Sequence, residues 1–89
     1  MSPKILVEGS LIFWFHSYDA LRENRASVHV GKGSQHDYND AKIWLEPEIE
    51  VARSGRTLRE HELNRALKII AQNYAYLLEE WHDYKYGAG

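Results

Sequence analysis

Apolar residues at Leu63, Ala66, Leu67, Ile70, Tyr74, Leu77, Leu78 and Trp81 recur at the three- and four-residue spacing of a helix with one buried face. Glu62, Arg65, Lys68, Gln72, Glu79 and Glu80 fall between them as the solvated side. Thr57 with Glu60 predicts a capping box at the start of this helix. Gly87, with Lys85 just before it, predicts its stop. A helix over about residues 58–85 would be roughly 40 Å long. That exceeds the width of a domain of this size, so a break near Asn73 or a projecting end is expected.

The pattern changes in the first half. Residues 11–16 are apolar throughout, with Leu11, Phe13 and Phe15 on one side and Ile12, Trp14 and His16 on the other. Such a strand needs cover on both faces. Ile5 to Val7 predicts a shorter strand, joined to it by a turn at Glu8-Gly9. Ala26 to Val30 alternates, with Val28 and Val30 inward and Ser27 and His29 opposite. Ala41 to Glu46 alternates again, with Ile43 and Leu45 inward and Lys42, Trp44 and Glu46 opposite. Pro47 ends that strand, and Glu48 to Ala52 predicts a last short one. The Tyr18–Arg25 stretch reads as a helical turn or an ordered loop, and Gly31–Asn39 as a flexible connection. Strands over about residues 4–53 and a helix over about 58–85 predict an α+β fold. It would be a small antiparallel sheet of four to five strands with one long C-terminal helix on one face, a single domain over residues 1–89.

Composition narrows the chemistry. The chain has no cysteine, which removes disulfides, thiolate metal sites and cysteine nucleophiles. Its net charge of -2 gives no global attraction to nucleic acid or anionic lipid. No apolar run approaches the roughly 20 residues that cross a bilayer, so no membrane role and a cytoplasmic location are expected. Aromatic residues are plentiful, with three Trp and six Tyr. Phe13, Phe15, Tyr74 and Trp81 are expected in the core, and Trp14, Trp44 and Tyr18 are expected to be surplus to it, on the face that carries His16 and His29.

Several segments taken in order are familiar: Val28-His29-Val30, a glycine-containing turn, Ala41-Lys42-Ile43-Trp44-Leu45-Glu46-Pro47, an acidic-apolar stretch, and a helix with Glu62-Leu63 that reaches Leu77-Leu78-Glu79-Glu80-Trp81. Over about residues 10–86 the chain resembles the bacterial domain of unknown function 4160 (DUF4160) family. The resemblance implies a partner: members look like companions of a second small protein encoded by the adjacent gene, in toxin–antitoxin-like or regulatory pairs. Their typical His-x-His, preceded by two prolines, is matched here only at its second histidine, His29. Ser27 stands at the first position and the prolines are absent, which works against a bidentate metal site.

Candidate functional residues follow from the strand phases. Trp14, His16, His29, Lys42, Trp44 and Glu46 share the sheet face turned away from the long helix, where no predicted element covers them. An uncovered aromatic face is expected to be a binding surface. His29 is the candidate acid–base residue. Arg25, Lys42, Arg53 and Arg56 are candidate anion contacts, the last two near a helix start. Glu46, Glu48 and Glu50 would line one side of a strand if it ran through Pro47, more often a solvated face than a cation site. The five histidines are scattered without ligand spacing, so neither metal nor cofactor is expected. These features lead to a small bacterial protein-binding module. The competing expectation is a metal-independent ribonuclease or RNA-binding protein that uses His29 and nearby Arg and Lys. Homodimerisation is a third, and whether the chain is an enzyme stays open.

Overall fold

A computed structural model describes residues 4–87. It has an α+β fold in which five strands form one antiparallel sheet in sequence order: β1 (Lys4–Glu8), β2 (Leu11–Trp14), β3 (Ser27–Lys32), β4 (Ala41–Trp44) and β5 (Glu50–Arg53). The strands are shorter than their apolar runs suggest because loops take over at Phe15, Leu45 and residues 46–49. Gly9, at φ +60, makes the β1–β2 turn, a conformation that glycine adopts without steric cost.

Leu11, Phe13 and Phe15, Val28 and Val30, and Ala41, Ile43 and Leu45 are all buried on one face of the sheet. Against them pack Ala66, Ile69 and Ile70 of α2 (Glu60–Gln72) and Leu77 and Trp81 of α3 (Tyr74–His82). Phe15 meets the Trp81 ring edge-on at 5.5 Å. Tyr74 donates its hydroxyl to the Leu45 carbonyl, just past the end of β4, and Tyr76 donates to Ile5 O of β1 at 3.1 Å, which ties α3 to the sheet at two separate places.

The long helix breaks at Asn73, where a break was expected. Asn73 ends α2 and opens α3, and its side-chain amide donates to Ile69 O at 2.8 Å. The Ile69 carbonyl thus accepts from both the Asn73 side chain and the Asn73 backbone N–H, the latter at 3.0 Å. A π-helical turn, Asp83–Gly87, follows α3.

The predicted capping box is displaced. Helix α2 starts at Glu60, and the reciprocal carboxylate is Glu62, whose Oε1 accepts from the Arg59 backbone N–H at 2.9 Å. This bond and Lys32 hold the Glu62 carboxyl below its ordinary pKa. The Thr57 hydroxyl instead donates to Asp40 Oδ1 at 2.6 Å, a tertiary partner that outcompetes the local one.

The second face of the sheet is covered, contrary to expectation. Helix α1 (Ser17–Arg22) and the loop of residues 33–40 fold over it. Trp14 is fully buried, and its indole N–H donates to Asp40 Oδ2 at 3.0 Å. Lys85 reaches α1 from the π-helical turn and donates to Ala20 O at 2.8 Å and Glu23 O at 2.7 Å. A cation at the negative end of a helix is favourable, and here it fixes where α1 lies. Among the described residues no helix is long and apolar enough to cross a membrane.

Candidate functional site

Antiparallel register sets one row of side chains across the second face. Trp14 pairs with His29, His29 with Lys42 and Lys42 with Arg53 on four consecutive strands. Helix α1 lies over one side of the row and the 33–40 loop over the other. They enclose a cleft of about 290 Å³ lined by His16, Tyr18, Asp19, His29, Asp37, Tyr38, Lys42 and Arg53.

His29 is only 3% exposed, and its Nε2 lies 2.8 Å from Asp19 Oδ2. Lys42 Nζ lies 3.3 Å from the same oxygen and donates to both Glu23 carboxylate oxygens at 3.0 and 3.2 Å. Burial raises the pKa of Asp19, but the His29 hydrogen bond and the Lys42 charge outweigh it, so the carboxyl sits below its ordinary value. An ionised carboxylate only accepts, so Nε2 carries the proton and donates. His29 Nδ1 and Ser27 Oγ are buried without a hydrogen-bond partner among the described residues. His29 also stacks on Trp14 with ring centroids 4.6 Å apart.

His16 presents the same nitrogen to a carboxylate, but its other nitrogen is partnered. Its Nδ1 accepts from the Tyr18 backbone N–H at 3.2 Å and so caps α1. Nε2 therefore carries the proton and faces Asp37 Oδ2 at 3.3 Å. His16 and His29 stand with ring centroids 5.5 Å apart. Among the described residues no three His, Asp or Glu side chains group so as to hold a metal ion.

The predicted residues divide into three places. His16, His29, Lys42 and Arg53 line the cleft, and Trp14 lies beneath it, out of solvent. Arg25, Trp44 and Glu46 form a neighbouring cluster at the far end of β4. There the Arg25 guanidinium carbon lies 4.2 Å from the Trp44 ring centroid and Lys42 Nζ 4.6 Å, so two cations lie against the half-buried indole. Arg25 also donates to Glu46 O at 2.6 Å and to Glu50 Oε1 at 2.8 Å. Because β4 stops before Pro47, Glu46, Glu48 and Glu50 do not form one continuous strand side; Glu46 and Glu50 serve Arg25 instead. Arg56 lies outside the cleft, where its backbone N–H donates to Asn39 O at 2.7 Å.

Three acidic and aromatic residues of the cleft are absent from the sequence-based set: Asp19, Asp37 and Tyr38. All lie in polar stretches where periodicity gives no signal. One signal was present: Asp19 falls one turn before Glu23, and the two place carboxylates on one side of a short helix.

Asp19 makes an acid-stability prediction. A lowered carboxyl pKa stabilises the fold above the unfolded value and loses that contribution as the pH falls through the folded value. Thermal melts of the wild type should therefore lose stability as the pH drops below 3.8, the ordinary value. Asp19→Asn should be less stable at neutral pH and show a flatter acid limb. Parallel curves for the two proteins would refute the assignment.

A family model described as a domain of unknown function, DUF4160, matches residues 10–82. No curated protein and no solved structure matches the chain. The match runs from the end of the β1–β2 turn to the last residue of α3 and takes in every strand and helix that lines the cleft, and the chain belongs to the DUF4160 family.

Proposed function

We propose that this chain is a small protein-binding module of the bacterial cytoplasm, one half of a pair of the toxin–antitoxin-like or regulatory kind. The observation that carries this reading is the rim of the cleft. Tyr18, Leu21 and Tyr38 are 60%, 79% and 84% exposed on α1 and the 33–40 loop. Tyr18 and Leu21 are three residues apart and share one side of α1. Large apolar side chains held in water on ordered elements are the material of a protein interface. The family resemblance, with a companion protein encoded alongside, points the same way.

A ribonuclease is the second reading, favoured by one observation: His29 is oriented by a carboxylate, the arrangement that tunes an imidazole for proton transfer. It ranks second because Lys42, the cation that pairs across the strands with His29, is already engaged by the Asp19 and Glu23 carboxylates. The cleft lining is also balanced, with Lys42 and Arg53 against Asp19 and Asp37.

Co-expression with the product of the adjacent gene tests the two together. The pair should co-purify, and Tyr18→Ala with Leu21→Ala should weaken the complex by about tenfold or more, as loss of a central aromatic contact does. A monomer that retains no neighbour at micromolar concentration refutes the module. Metal-independent RNA cleavage that His29→Ala abolishes without unfolding the protein would establish the nuclease instead.

A further inference from the structure

A run of basic residues lies beside the cleft. The whole chain carries -2, yet residues 53–59 contain Arg53, Arg56 and Arg59 and no acidic residue. This segment runs along the back of the 33–40 loop. Arg53 Nη2 donates to Asp37 O at 2.9 Å and to Asp40 O at 3.2 Å. The Arg56 and Thr57 backbone N–H groups donate to Asn39 O at 2.7 and 3.0 Å. Tyr38 is therefore set between an arginine side chain attached at Asp37 and an arginine backbone attached at Asn39.

The loop that presents Tyr38 is strongly held. Asp40 accepts from the His36 backbone N–H at 2.9 Å, from Trp14 and from Thr57. The Asp40 N–H in turn donates to His36 O at 2.9 Å. All of this order ends in a tyrosine with 84% of its surface in water. Arg56 is exposed, and its side chain makes no hydrogen bond or ion pair among the described residues. Asp37, the exposed carboxylate next to Tyr38 in the chain, faces His16.

We infer that Tyr38, Arg53 and Arg56 form a preorganised docking patch for an acidic segment of the protein partner; the inference rests on the binding-module reading. A rigid loop avoids the ordering cost of association. Tyr supplies contact area with few rotatable bonds, and Arg offers a fork of donors that matches a carboxylate. Arg53 keeps part of its guanidinium for this purpose, since the two carbonyl bonds both use Nη2. Opposite charge brings the partner in and sets its register.

Fluorescence anisotropy with short labelled peptides tests the inference. The probes are one rich in Asp and Glu, its Asn and Gln counterpart, and an oligouridylate of similar length. The acidic peptide should bind, weaken as salt rises, and exceed the neutral one by about tenfold or more. Arg56→Glu and Tyr38→Ala remove side chains that the fold does not use, so both variants should remain folded, and each should weaken the acidic peptide severalfold. Equal binding of the two peptides, or indifference to Arg56→Glu, overturns the inference. Preference for the oligouridylate through the same residues overturns it in favour of nucleic acid. If the neighbour's product co-purifies equally with Arg56→Glu, the acidic patch fails and the module stands. If the peptide results hold but no neighbour is retained, the module fails and the patch stands.

Discussion

Asp40→Ala is expected to lower stability by about 3–4 kcal/mol, because it strips the acceptor from several donors at once. For a domain of this size the thermal midpoint should fall by roughly 12–30 °C. Asp40 is completely buried, and both carboxylate oxygens are used. Oδ2 accepts from the Trp14 indole and the His36 backbone, and Oδ1 from the Thr57 hydroxyl. The indole is itself buried and has no water to turn to, so its N–H bears the full desolvation penalty once the acceptor is gone. Three segments then lose their common anchor: β2, the 33–40 loop and the approach to α2. Asp40→Asn should be only a partial rescue. It presents an amide N–H₂ where a donor already points, so one side of the hub becomes a donor facing a donor. Chemical denaturation with tryptophan fluorescence checks both variants. A loss below about 1 kcal/mol in Asp40→Ala would mean that the hub is dispensable.

Gly31→Ala should rank beside it, for a steric reason at the same place. A Cβ on Gly31 would come 2.2 Å from Asp40 Oδ2 and 2.7 Å from Ser34 O, far inside contact distance. The nearest atom belongs to a short side chain fixed by several hydrogen bonds, and the next belongs to the backbone, so neither can yield cheaply. Overpacking of this kind costs about 1–3 kcal/mol, and the upper end applies here. The two substitutions should be strongly coupled. In the Asp40→Ala background much of the clash is gone, so Gly31→Ala should cost distinctly less there than in the wild type. A double-mutant cycle measures that difference, and strict additivity would place the strain elsewhere.

Most of the architecture was legible because it rests on two periodicities. The stripe from Leu63 to Trp81 and the alternation in Val28–Val30 and Ala41–Leu45 report burial directly, and the core obeys them. The strand phases also placed Trp14, His16, His29, Lys42 and Trp44 on a common side, and the register Trp14–His29–Lys42 puts three of them in one row. The lid over that side was not legible. A six-residue helix such as α1 is too short to display a period, and Asp19 and Asp40 look like ordinary loop residues until their partners arrive from 10 and 26 positions away. The aromatic surplus was therefore only partly placed: Tyr18 is exposed as expected, Trp14 is interior, and the exposed Tyr38 of the lid loop gave no signal. Thr57 illustrates the same limit, since a sound local capping motif lost its hydroxyl to a distant carboxylate.

The clasp from Lys85 to α1 joins residues 62 and 65 positions apart. A helix of six residues has almost no helicity of its own in water, since nucleation costs more than so few bonds return. The cleft wall is thus finished by one of the last parts of the described chain to be synthesised. During translation the five strands can pair before the π-helical turn has left the ribosome, and throughout that interval α1 lacks its C-terminal clasp and is held from the sheet side, through Asp19 to His29 and Lys42 and through Glu23 to Lys42. The cleft wall is therefore secured in two stages: carboxylate contacts that come with the sheet, and a lysine–carbonyl clasp that comes with the end of the described chain.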